Sequence, residues 1–214
     1  MDIKEHKKTF QLERLILFSD AVFAIAITLL VIELKIHEPE VATNRTLAIA
    51  ILQAIPHFIS FMISFMIIGI YWIAHHKMFY FIINYDTRLL WINLLLLFFI
   101  ALMPFSSNIY GVYFDLDTSF LLYFINISMI SLFFFLMYNH ISNSKKQLSH
   151  GLENPRIVKY YKSRSLVVPL CFGIGAIAVL ITDIPAAKII SRMSPILIFP
   201  AMRMIRNKYK DVVE

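Results

Sequence analysis

Apolar residues in this chain gather into long runs instead of alternating with polar ones, and about 20 residues at helical rise is what a hydrocarbon core demands. Six runs stand out, at about 15–36, 47–73, 89–110, 119–139, 165–182 and 185–205. Their continuity excludes the short alternating segments of a membrane barrel. The pattern predicts an all-α integral membrane protein, a single domain over residues 1–214 with six transmembrane helices. The first run is too long for a secretory signal peptide and has no clear small-residue cleavage site, so it is read as the first span. The sixth is broken by Pro185, Pro195 and Pro200 and carries Lys188 and Arg192 on its first turns. It is read as spanning because it follows the fifth after a tight TDIP turn and its basic side chains can snorkel; an interfacial helix is the alternative.

Composition agrees with burial in lipid. Of 214 residues, 59% are hydrophobic and 16% charged, with a mean hydropathy of +0.71, whereas soluble domains carry about 25% charged residues. The net charge of +6 raises the question of nucleic acid, and the positions of the basic residues answer it. With both termini on the cytoplasmic side of the cell membrane, sixteen Lys and Arg residues fall inside and four outside, the bias that sets topology. No nucleic-acid partner is implied. The outer helix ends hold Glu33, Glu38, Glu40, Asp115, Asp117 and Asp183; that surface either concentrates cations or reflects only the exclusion of Lys and Arg. A single cysteine, Cys171, permits no intrachain disulfide and no thiolate cluster, and nothing implies a bound metal or cofactor.

The first helix contains the residues that need explaining, because Ser19 and Asp20 sit inside an apolar run. At about 100° per residue, Phe18, Ile25, Leu29 and Ile32 fall within about 60° of one another, with Thr28 at the edge of this stripe and Asp20 pointing well away from it. An aliphatic stripe taken alone reads as a lipid-facing or packed surface, and a mid-helix threonine bonds back to its own helix.

At these residues the chain becomes recognisable. R-x-x-x-F-S-D, here Arg14, Phe18, Ser19 and Asp20, followed by AVFAIAITLLVIEL, resembles the signature of bacterial relatives of the endolysosomal potassium channel transmembrane protein 175. YWIAHHKMF (71–79) and LLWINLLLLFFIALMPFSS (89–107) continue the likeness across the first half of the chain. The resemblance implies a homotetramer of six-helix subunits in the lipid bilayer, whose four first helices line a pathway for potassium ions. It puts a hydrophobic constriction at Ile25, with Leu29 and Ile32 above it on the same stripe and Thr28 close by. No TVGYG-type filter run occurs and glycines number only five, so rings of backbone carbonyls are not the expected source of selectivity; hydrophobic rings gate by dewetting.

An unpaired charge at the depth of Asp20 costs several kcal/mol, so it calls for partners. Trp91 and Asn93 of the third helix, and His75 with His76 closing the second, lie at comparable depth. The expectation is that Ser19 and Asp20 lock the first helix to its neighbours through His75, Trp91 and Asn93, with Arg14 adding compensation. The rival makes Asp20 an ion-binding or proton-carrying carboxylate, the coupling site of a secondary transporter. His57 after Pro56 marks a kink, and Trp72 reads as an interfacial anchor. Catalysis is not expected: Ser19 and Asp20 diverge on a helix, and no G-x-S-x-G or H-E-x-x-H occurs.

Overall fold

The computed structural model describes residues 3–35, 41–182, 184, 190 and 192–213, the side chains of 3–9, 144, 212 and 213 aside. Glu38, Glu40, Asp183, Pro185 and Lys188 lie outside the described residues. The chain runs through α1 (Ile3–Ile32), α2 (Asn44–Gln53), α3 (Ile55–Phe79), α4 (Thr87–Ala101), α5 (Met103–Val112), α6 (Asp117–Ile141), α7 (Pro155–Ile181) and α8 (Ile198–Lys208). Five stretches among the described residues are long and apolar enough to cross a bilayer: Phe10–Ile32, Ile55–Phe79, Thr87–Val112, Asp117–Ile141 and Pro155–Ile181.

Proline decides where the runs break. The second was expected at 47–73; instead α2 stops at Gln53 and the span runs from Ile55 to Phe79. Pro56 has no N–H and crowds the preceding turn, so it is tolerated only at the start of a new helix. Pro104 divides the third span into α4 and α5 in the same way, and within that break Ser106 donates to the Met103 carbonyl at 3.2 Å. The fifth span begins ten residues earlier than its apolar run, because the Asn154 side chain accepts from the Arg156 amide and Pro155 opens the helix.

Inside the bundle polar side chains join the helices, since lipid offers them no other partners. Ser60 and Ser64 of α3 both donate to Ser107 of α5, each at 2.7 Å, and Ser64 shares a 2.6 Å bond with Tyr123 of α6. Two turns further along, Tyr71 bonds Ser131 of α6. Around them Leu96, Ile100, Phe120, Ile127 and Ile130 are fully buried.

The region expected to hold the sixth span is built in pieces. A 3₁₀ turn, Ser194–Leu197, leads into α8; the residues described give no single helix long enough to span. Arg192 does not snorkel. It is 2% exposed and donates to the Asp115 carbonyl at 2.7 Å and to the Asp117 carboxylate at 2.9 Å, where α6 begins. Beyond α8, Asp211 pairs with Arg156 at 2.6 Å, where α7 begins. The C-terminal segment is thus pinned at opposite ends of the bundle.

The polar connection expected at 140–163 is itself ordered. His150 N donates to the Phe81 carbonyl at 2.9 Å and Ile83 N to Leu148 at 3.0 Å, with Leu148 and Leu152 buried. Gly151 takes φ +85°, and a Cβ there would come 3.3 Å from the Phe81 ring. Asp86 closes this end of the bundle: its carboxylate accepts from the Leu89 amide at 2.8 Å, from His140 at 2.8 and 2.9 Å and from Lys146 at 3.4 Å. Partial burial pushes the Asp86 carboxyl up, but the bonds from His140, the Leu89 amide and Lys146 outweigh it and hold it below the usual carboxylate range.

Because the folded carboxyl is the stronger acid, Asp86 stabilises the fold fully above its unfolded value of about 3.9, and this contribution is lost as pH falls through the lower folded value. Thermal unfolding in detergent is expected to show that Asp86→Ala costs about 1 kcal/mol at neutral pH through the lost cap alone. The gap to wild type should close in strong acid; a gap that stays constant with pH would refute the assignment.

Candidate pore helix and its anchoring motif

Helix α1 has two unlike faces. Ser19, Phe23, Ala26 and Leu30 recur at spacings of three and four and are buried against α3, α4 and α5. On the other side Ile25 is 57% exposed, Leu29 41% and Ile32 64%, with Phe18 also exposed. Thr28 is exposed on this side too, its hydroxyl donating to the carbonyls of Ala24 and Ile25 at 3.0 and 2.9 Å. That bond uses the only proton of the hydroxyl and leaves its oxygen able to accept.

The buried face is held by a hydrogen-bonded chain. Ser19 donates to the Leu15 carbonyl at 2.9 Å and accepts from Asn93 Nδ2 of α4 at 3.0 Å. Asn93 Oδ1 faces His75 Nε2 of α3, also at 3.0 Å. The amide oxygen can only accept, so His75 donates from Nε2. All three residues are buried, and the His75 ring lies between Phe23 and Phe79, with centroids 5.3 and 4.4 Å away. One serine, one amide and one imidazole therefore connect three helices.

Asp20 is not part of that chain. It is half-buried on the flank of α1, and its Oδ1 accepts from Trp72 Nε1 of α3 at 3.0 Å. The donor is thus Trp72 rather than Trp91, whose side chain is 60% exposed on α4. Arg14 is exposed, and no carboxylate pairs with it among the described residues. Depth was the available signal for Trp72: it lies seven residues before Phe79, as Asn93 lies six beyond Thr87, so both sit about 10 Å in from the same end of the bundle by helical rise. No group of three His, Cys, Asp or Glu side chains that could hold a metal ion occurs among the described residues.

These residues fall inside a match to a known family, the endosomal/lysosomal potassium channel TMEM175, whose model covers residues 14–104. The matched stretch resembles that family and covers less than half of the chain. It is 40% identical over 98 residues to a potassium channel of Chryseobacterium sp. (strain P1-3), covering 46% of this chain and 48% of the relative. With a potassium channel of Chamaesiphon minutus it shares 33% identity over 113 residues, 53% of this chain and 54% of the relative. The chain thus matches about half the length of these curated relatives. The fold extends further. A solved homolog, from Chamaesiphon minutus, of the lysosomal potassium-selective channel TMEM175 superposes over 91% of this chain and 98% of its own with a TM-score of 0.71 at 21% identity. A threonine-to-alanine variant of the potassium channel MtTMEM175, crystallised with a nanobody fusion, gives a TM-score of 0.60 at 23% identity, covering 92% and 93%. The shared architecture therefore includes the second half, where sequence likeness is weak.

Asn93 is the testable centre of the anchor. Replacing it with Ala leaves both Ser19 and His75 short of a partner, and each unsatisfied buried group costs about 1–3 kcal/mol. Asn93→Ala is expected to lower the unfolding midpoint in detergent well beyond Trp72→Phe, which removes one bond from a partly solvated carboxylate. Equal effects would mean that the chain carries no special share of the stability.

Proposed function

We propose that the chain is a potassium-permeable cation channel of the cell membrane, a homotetramer with both termini cytoplasmic and four copies of α1 around a central pathway. One observation carries the reading: α1 is fixed along one face while the opposite face, with Ile25, Thr28, Leu29 and Ile32, is left without cover in the single subunit. Thr28 adds to that face an oxygen that can still accept while its proton is spent on the Ala24 and Ile25 carbonyls. Four such faces turned toward an axis form rings of aliphatic side chains that dewet when narrow, with a layer of threonine oxygens adjacent. The names of the relatives, potassium channels in two bacterial genera, support potassium as the permeant ion. In this reading Ser19, Asn93 and His75 hold the pore helix at a fixed rotation, and Trp72 keeps the Asp20 carboxylate to the side of the pathway.

The test is potassium flux from liposomes loaded with high internal potassium, with sodium or caesium outside. Wild type is expected to conduct passively, and Ile25→Asn to raise the flux several-fold while weakening potassium preference, because an amide ring wets the constriction. Unchanged flux in Ile25→Asn would take that residue out of the constriction. Flux that requires an opposing proton or sodium gradient would replace the channel with a coupled transporter working through Asp20.

A further inference from the structure

Two cavities lie along one face of α3. Ile59, Ile63, Met66, Ile70, Ala74 and Lys77 follow one another at intervals of three and four, a single stripe down the helix. From Ile59 to Ile70 the stripe forms one wall of a groove of about 280 Å³ whose lining is entirely apolar, closed on the other side by Pro195, Ile196 and Phe199 of the C-terminal segment. By helical rise this wall is about 16 Å long, half of a hydrocarbon core of about 30 Å. Ile70 lines both cavities, so they adjoin on the same face of α3.

The second cavity is of opposite character at its far end. It measures about 30 Å³ and is lined by Lys77 of α3, Tyr138 of α6, and Tyr161 and Arg164 of α7, with no carboxylate in its wall. Lys77 is exposed and pairs with no acidic group among the described residues. Arg164 spends one donor on the Tyr160 hydroxyl at 2.9 Å and stacks on that ring at 5.6 Å, which leaves further N–H groups for an anion. Tyr138 is 2% exposed, yet its hydroxyl has no hydrogen-bond partner. The unpartnered hydroxyl belongs to a residue that lines the same cavity as the two cations, where an acceptor would satisfy it.

We propose that this face of α3 binds one anionic phospholipid, with its phosphate at the cavity lined by Lys77, Arg164 and Tyr138 and one acyl chain in the groove from Ile70 to Ile59. The combination selects a lipid over a free anion, because only a lipid supplies both the charge and an apolar tail of leaflet length. The headgroup sits at the end of α3 nearest Asp86, the basic side of the bundle, which is where anionic lipid is attracted by Lys and Arg. Bound there, the lipid bridges α3, α6, α7 and the C-terminal segment, and so bears on the stability of the half of the molecule that carries little likeness to the relatives. The proposal is independent of what α1 conducts.

Native mass spectrometry of the purified full chain in detergent, titrated with dioleoylphosphatidylglycerol, dioleoylphosphatidylcholine or inorganic phosphate, tests it without any flux measurement. Wild type is expected to hold the glycerol lipid more tightly than the choline lipid, and Lys77→Gln to weaken it by about fivefold with little effect on the other. Tyr138→Phe should reduce the same preference while leaving the lipid-free protein at least as stable as wild type, since its hydroxyl has no protein partner. Met66→Trp, which fills the groove, should weaken both lipids alike. Equal binding of the two lipids by wild type, a preference that survives both Lys77→Gln and Tyr138→Phe, or displacement of the lipid by millimolar phosphate would each overturn the assignment.

Discussion

The structure depends on a hydrogen-bonded chain of three side chains, Ser19 to Asn93 to His75, made where water cannot substitute for any of them. Apolar packing alone is a weak guide between membrane helices, because lipid tails solvate leucine as well as another leucine does. A polar group buried at this depth has one satisfactory arrangement and many costly ones. The chain therefore sets the rotation of α1 relative to α3 and α4, and with it the direction faced by Ile25, Thr28, Leu29 and Ile32. Rotation by one residue would move Ser19 away from Asn93 and carry the aliphatic stripe about 100° around.

The same logic recurs through the bundle in a graded way. The serines and tyrosines joining α3 to α5 and α6 are all neutral, so they specify register at little desolvation cost. The charged residues are kept to the ends: Asp86 with His140 and Lys146 at one, Arg192 with Asp117 at the other. Asp20 is the exception, a carboxylate within the first span, and it is tolerated at the flank of its helix with a single indole donor and partial exposure. The face of α3 beside the C-terminal segment differs from the other buried faces. There the walls do not close, the lining is apolar for half the thickness of a bilayer, and the basic end is uncompensated.

Much of the architecture was legible in the order of residues. Run length and continuity required helices through a membrane, because every backbone group in lipid must be bonded within its own segment, and periodicity alone separated the Ile25, Leu29 and Ile32 face from Asp20. The spacing of Ser19 and its neighbours, with Asn93 and His75 at matching depth, was enough to suggest an anchored helix. Helix ends were less legible: Pro56 and Pro104 act over one or two residues, and a run of apolar letters does not show that a helix begins ten residues earlier in a mostly polar stretch, as α7 does at Pro155.

Only the tertiary structure decided which indole meets Asp20. Trp72 and Trp91 both lie near the same end of the bundle, and the choice depends on the rotation of α3 and α4 about their axes, which packing sets and local sequence does not. It also decided the fate of Arg192, which reads as a snorkelling residue in the linear chain and is buried against the start of α6. The cavity between α3, α6 and α7 belongs wholly to this level, because Lys77, Tyr138 and Arg164 are separated by tens of residues and share a wall only when three helices are folded together. Sequence determines which groups must be hidden from lipid or paired within it; the fold determines which of them meet, since contact between distant segments is a property of the whole packed bundle.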